Sequence, residues 1–223
     1  MCTIFNYGGR SSVGRAPDCG SGCRGFEPHR SPHFIMLFII SGPSGVGKGT
    51  LINDLIAANA NLCLAISATT RTPRPGEIDG ETYYYLNNDA FDKEIEDDNF
   101  LEWCTVHGNR YGTLKSEIST KLSQFSGIII EIDVQGAKKL RTHKEFPQYH
   151  IFIAPPSEAV LEDRLRQRNT ENTKIIQNRL DESKKELEEK KYYDKIIVNN
   201  KLTQSLNELN NVILSILTKE SAQ

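Results

Sequence analysis

The stretch of this sequence richest in chemistry is residues 42–50, Gly-Pro-Ser-Gly-Val-Gly-Lys-Gly-Thr. Gly42, Gly45 and Gly47 lead into Lys48 with the G-x-x-x-x-G-K spacing that wraps phosphate groups in backbone N–H donors. Lys48 adds a full positive charge that can follow a phosphoryl group in transfer. Arg71 and Arg74, three apart in a Pro- and Gly-rich stretch, form a second cationic pair whose planar guanidinium forks match phosphate oxygens. A solvated basic loop is the plainer reading of that pair. Glu102 stands among apolar neighbours, so its carboxylate must be paired or must serve a ligand's donors. Glu131 and Asp133 close another apolar run and alternate by two, which turns both the same way. Arg164, Arg166, Arg168 and Arg179 flank a break at residues 169–172. That arrangement reads either as a lid that excludes water or as an exposed, ion-paired helical hairpin.

The positioning elements follow from pattern. The apolar run over residues 36–41 is a buried strand, and residues 50–58 open a helix, so the glycine loop sits in a strand–loop–helix context. Further strands are expected over residues 61–67, 80–86, 100–106, 127–133, 149–154 and 195–199. Residues 68–77 read as a loop and residues 107–113 as a turn. His107 lacks an evident partner and reads as surface. Helices are expected over residues 90–98, 115–125, 157–168 (with Ser157 as N-cap), 173–192 and 202–217, and another opens at Gln135-Gly136. Strands alternating with helices predict an α/β fold with a parallel sheet.

Composition bounds the class. The chain has 223 residues with a formal net charge of −2 and 25% charged residues. That balance argues against a nucleic-acid or membrane-surface partner. No apolar run approaches the roughly 20 residues of a membrane helix. Of five cysteines only Cys63 and Cys104 lie beyond residue 33, which fits a reducing cytoplasm rather than a disulfide framework. Cys19 and Cys23 lack a second ligand pair for zinc. Residues 1–35 are rich in Gly, Pro, Ser and Arg and lack periodicity. They resemble a translation through a transfer-RNA gene, which makes Met36 the expected start and the preceding segment a disordered extension.

Taken together these motifs resemble guanylate kinase. The resemblance is carried by residues 42–50, Ser67-x-Thr-Thr-Arg-x-x-Arg-x-Gly-Glu77, Gly80-x-x-Tyr83, Phe100-Leu-Glu-Trp103 and Gly108-Asn-x-Tyr-Gly-Thr113. Ile132-Asp-x-Gln-Gly136, Ile153-Ala-Pro-Pro-Ser157 and Ile197-Val-Asn199 continue it. It implies a P-loop NTPase-type core (residues 36–68 and 127–223), an inserted GMP-binding α+β subdomain (about 69–126) and a helical lid (about 164–182). It also implies transfer of the γ-phosphoryl of ATP to GMP, and to dGMP, with Mg²⁺, in GMP recycling. GMP and ATP are then the partners of a cytoplasmic monomer or homo-oligomer.

In that family's terms Gly42, Pro43, Ser44, Gly45, Val46, Gly47, Lys48, Gly49 and Thr50 would bind ATP. Arg71, Arg74, Tyr83 and Tyr111 would hold the GMP phosphate, and Ser67, Glu102, Thr113 and Asp133 would read guanine. Lys48, Arg71, Arg164, Arg168 and Arg179 would be catalytic. Gly49 departs from the usual Ser or Thr metal ligand, so no direct protein ligand is expected, with Asp133 acting through water. Glu131 replaces a common Asp, and Asn169 a common Gly. Two rivals differ in class or acceptor: a non-catalytic phosphopeptide-binding relative of scaffolding proteins, and a ribose 1,5-bisphosphate phosphokinase.

Overall fold

The computed structural model describes residues 35–167 and 173–220. The expected disorder of the extension concerns residues outside these, Ile35 excepted. Ile35 packs against the core and so belongs to the folded unit.

In chain order the elements are β1 (Met36–Ser41), α1 (Lys48–Ala58), β2 (Leu62–Leu64), β3 (Ala68–Thr69), β4 (Tyr84–Tyr85), α2 (Asn88–Glu96), β5 (Phe100–Val106) and β6 (Asn109–Leu114). They continue with α3 (Lys115–Lys121), β7 (Gly127–Glu131), α4 (Val134–Leu140), β8 (Gln148–Ala154), α5 (Glu158–Gln167) and α6 (Thr173–Glu188). A 3₁₀ turn (Glu189–Tyr192), β9 (Lys195–Val198) and α7 (Leu202–Glu220) complete the series.

The main sheet is parallel, in the order β2-β7-β1-β8-β9. Both faces of β1 are covered, which explains its unbroken apolar run. Phe38 and Ile40 join Leu51, Leu55, Leu209 and Ile213 on one side. Leu37 and Ile39 join Ile128, Ala137 and Phe152 on the other. The carboxyl ends of β1, β7 and β8 therefore meet at one rim, where ligands collect in open α/β sheets.

A second sheet, in the order β4-β3-β6-β5, forms the insertion. Phe91 of α2 stacks on Phe100 of β5 at 4.5 Å to give it a separate small core. Three sequence expectations are corrected here. The strand expected over residues 61–67 ends at Leu64 in the main sheet. Ala68 and Thr69, read as loop, belong to the second sheet, paired with Tyr84 and Tyr85 and with Gly112 and Tyr111. The stretch read as a turn at residues 107–113 is mostly strand β6. Only His107 and Gly108 turn, both with positive φ, and pairing with β5 overrides the weak strand preference of Asn109 and Gly112.

The strand expected over residues 80–86 is likewise only two residues long. Helix α2 starts two residues before the expected position because the Asn87 side chain accepts from the Ala90 N–H at 2.7 Å. Ser157 does cap α5, accepting from the Val160 N–H at 3.2 Å. The expected break at residues 169–172 lies outside the described residues. None of the helices described is long and apolar enough to cross a membrane.

Phe38 is fully buried at the centre of one core face. Phe38→Ala should cost about 3–5 kcal/mol, read as a lowered urea midpoint without a change in slope.

Candidate functional site

The loop after β1 is built by a close passage of two backbones. Gly42 adopts φ +151°, and a Cβ there would stand 2.2 Å from the Ile153 carbonyl oxygen of β8. No other residue fits. The loop's carbonyls are tied to the protein. Lys48 Nζ donates to the Gly42 and Pro43 carbonyls at 2.6 and 3.2 Å. The Val46 carbonyl accepts from Asn199 Nδ2 at 2.8 Å and from Arg164 Nη1 at 3.2 Å, and Arg164 Nη2 also donates to the Asn199 carbonyl at 2.9 Å. Arg179 of α6 reaches the loop through Ser44 Oγ at 3.5 Å.

Two adjoining cavities, of about 460 and 250 Å³, make one cleft between the main sheet, the second sheet and α6. The smaller gathers Gly42, Ser44 and Lys48 with Ser67, Arg74, Tyr83, Glu102, Tyr111, Glu131, Asp133 and Arg179. Residues expected to act on a triphosphate thus face residues expected to read a base. Thr113 borders the site through Glu102. Arg164 lies outside this set, pinned to the carbonyls that brace the loop. Arg168 lies outside the described residues. Arg166 pairs with Glu162 one helical turn away.

Arg71 does not line the cavity directly. Its guanidinium is held in a two-bond fork by Glu77, at 2.9 and 2.8 Å, and stands 5.3 Å from the centre of the Tyr83 ring. Glu77 also accepts from the Arg74 N–H and the Tyr85 hydroxyl. The Arg71 hydrogen bonds hold its carboxyl down at about 2. Glu77 appeared in the sequence only as part of a motif. Its six-residue spacing from Arg71 in a stiff loop was the available signal.

Glu102 is 5% exposed. A register shift between Phe100 and Glu102 aligns it opposite Thr113, the re-aiming that a β-bulge provides beside a site. Its Oε1 accepts from Thr113 Oγ1 at 2.9 Å, while its buried Oε2 has no partner among the described residues. Burial raises this carboxyl to about 7. Asp133 caps α4, its Oδ1 accepting from the Gly136 N–H at 2.8 Å and from Cys104 Sγ at 3.2 Å. Burial pushes the Cys104 thiol well above the ordinary range, so it serves as a donor.

Three cleft residues escaped the sequence reading. Glu186 of α6 faces Lys48 and Asp133 and is raised to about 7, chiefly by burial. His107 is not a bare surface residue: its Nδ1 lies 3.2 Å from Glu182 Oε2 of α6, across the cleft mouth. Cys104 gave no signal because a lone buried thiol resembles any small apolar residue. No cluster of three metal-ligating side chains occurs among the described residues. A Cβ on Gly49 would lie 3.8 Å from Glu131 Oε2, so a carboxylate oxygen stands beside the position that lacks a hydroxyl.

The chain is similar to known proteins over most of its length. A family model described as guanylate kinase covers residues 35–216. A guanylate kinase of Prochlorococcus marinus is 44% identical over 180 residues, 80% of this chain and 97% of that protein. One of Carboxydothermus hydrogenoformans is 42% identical over 182 residues, 81% of this chain and 88% of that protein. The crystal structure of guanylate kinase from Anaplasma phagocytophilum superposes with a TM-score of 0.67 at 26% identity, covering 83% of this chain and 87% of that one.

Gly42→Ala should displace the loop from β8. It is expected to abolish detectable ATP binding by equilibrium titration while the fold, followed by circular dichroism, persists.

Proposed function

Because the chain belongs to the guanylate kinase family, we propose that it transfers the γ-phosphoryl group of ATP to GMP, giving ADP and GDP. The observation that carries this reading is Glu102, which lines the same cavity as Lys48 and whose buried Oε2 has no partner among the described residues. Guanine offers N1–H and a 2-amino group to such an oxygen; adenine has an unprotonated N1 and no 2-amino group. Leaving the carboxylate unsatisfied is costly, so discrimination exceeds what shape alone supplies. Ser67, Thr113 and Asp133 complete the base-facing wall. Arg74, Tyr83 and Tyr111 hold the GMP phosphate. Arg71 stands behind Tyr83, already oriented by Glu77.

The nucleophile is a GMP phosphate oxygen, already anionic, so the protein needs no general base. Its work is alignment, charge neutralisation and exclusion of water. Lys48 exchanges the Gly42 and Pro43 carbonyls for the triphosphate. Arg179 approaches the same loop from α6, and Arg168, outside the described residues, is given the same role of holding the ATP phosphates and the transferring group. Arg164 supports transfer by holding the loop from behind. Mg²⁺ fits the carboxylate donors present: it would be held mainly by ATP phosphates, with Glu131 and Asp133 accepting from its waters, and would neutralise charge on the β- and γ-phosphates. The two buried free cysteines support a cytoplasmic location. dGMP is a second acceptor on this reading, since the base-facing residues do not involve the 2′-hydroxyl.

A coupled ADP-release assay with GMP, dGMP, AMP and ribose 1,5-bisphosphate tests the assignment. GMP should exceed AMP by at least about a hundredfold in kcat/KM. Equal rates would defeat the role given to Glu102, turnover of the bisphosphate alone would change the substrate, and no turnover would favour a binding module. Lys48→Met should lose turnover yet still bind GMP.

Binding should also depend on pH. Glu102, neutral up to about 7 in the free protein, must ionise to accept from guanine, so GMP binding releases a proton below that pH. The same upward shift means the free fold loses this group's contribution as pH rises from about 4.5 to about 7. GMP affinity should therefore fall about tenfold from pH 8 to pH 6 beyond the change seen in Glu102→Gln, which retains only the titration of the nucleotide phosphate. Calorimetry in buffers of different ionisation enthalpy measures the released proton.

A further inference from the structure

The two base-facing carboxylates converge on a residue with no side chain. A Cβ at Gly136, the third residue of α4, would lie 2.7 Å from Glu102 Oε2 and 3.3 Å from both Glu102 Cδ and Asp133 Oδ1. The first distance is shorter than Cβ atoms tolerate, so a methyl group there requires Glu102 to move. Backbone conformation does not explain the glycine, since Gly136 is absent from the positive-φ residues. Helix propensity opposes it, because alanine is favoured over glycine inside a helix by about 1 kcal/mol. What the position does is admit a carboxylate. Its N–H also donates to Asp133 Oδ1, so the same residue touches both acids.

Each carboxylate is consequently anchored by one oxygen. Glu102 is anchored through Oε1 to Thr113, and Asp133 through Oδ1 to Gly136 and Cys104. Glu102 Oε2, buried and unpartnered among the described residues, rests over the bare Cα of Gly136. We infer that Gly136 is a specificity-determining positioning residue: its missing side chain sets the depth at which Glu102 sits, and so the distance at which the carboxylate meets the edge of the acceptor base. This rests on the reading of Glu102 as the guanine acceptor. A side chain at 136 drives that carboxylate toward the space the base must occupy, and its effect falls on the acceptor site and not on the ATP site.

The test is Gly136→Ala, assayed beside Glu102→Gln, Glu102→Asp and the double variant Glu102→Asp/Gly136→Ala. For Gly136→Ala the KM for GMP should rise at least about tenfold while the KM for ATP stays within about twofold, with an unchanged or higher melting temperature. Removing one methylene from residue 102 makes room for the methyl group, so the double variant should bind GMP no worse than Glu102→Asp alone. A GMP KM within about twofold of wild type in Gly136→Ala, additive losses in the double variant, or equal losses for both nucleotides with a lowered melting temperature would each overturn the inference. If Glu102→Gln leaves the GMP KM unchanged, the guanine reading itself fails. A defect in Glu102→Gln beside a normal Gly136→Ala overturns only the role of Gly136.

Discussion

The cleft depends on how closely the backbone after β1 passes the backbone of β8. At Gly42 the separation leaves no room for a Cβ, and that contact fixes where the loop leaves the sheet. The carbonyls of Gly42, Pro43 and Val46 are then tied to donors from Lys48, Asn199 and Arg164. A loop meant to bind anions must turn its carbonyls elsewhere, because an acceptor facing a phosphate repels it. Binding them to protein donors achieves this before any ligand arrives. The first N–H groups of α1 remain without helical partners, as at any helix start, and are available to an anion.

Charge in the cleft is paired in advance in a related way. Lys48 rests on loop carbonyls, and Arg71 rests on Glu77. Such pairs hold long side chains in one geometry, so less rotamer freedom remains to be lost when a phosphate arrives. They differ in how readily they open. Lys48 has only neutral carbonyls to leave. Arg71 shares two short bonds with a carboxylate that also holds the Arg74 backbone, so it is the more firmly held of the two. Glu102 is the opposite case, a buried group whose Oε2 has no partner among the described residues, at a cost met by the rest of the fold.

The elements that carry these groups tolerate this because the apolar core lies beneath the rim and does not share it. Two clusters on either face of β1 bury the sheet, while the inserted sheet has its own aromatic pair, Phe91 and Phe100. Glu102 and Thr113 sit where β5 and β6 are paired, so the acceptor is placed by strand register, and Glu182 and Arg179 approach from α6. The cleft is therefore lined by two sheets and a helix, with Leu101 of β5 and Leu187 of α6 joining them to the core of the main sheet.

Local pattern sufficed for the phosphate loop, the strand before it and the helix after it, because glycine spacing and an unbroken apolar run act within a dozen residues. It also identified Glu102 as anomalous, since a carboxylate among apolar residues stands out in one dimension. The strands β3 and β6 were not legible: Ala68, Asn109 and Gly112 have weak strand preference, and what holds them extended is pairing, with β5 across a tight turn for Asn109 and Gly112 and between β3 and β6, more than forty residues apart, for Ala68. Nor could the sequence show that Arg164 braces the loop through the Val46 and Asn199 carbonyls, or that Gly136 lies beneath Glu102. Those relations depend on distances between segments far apart in the chain, and only packing the two sheets around the loop sets them.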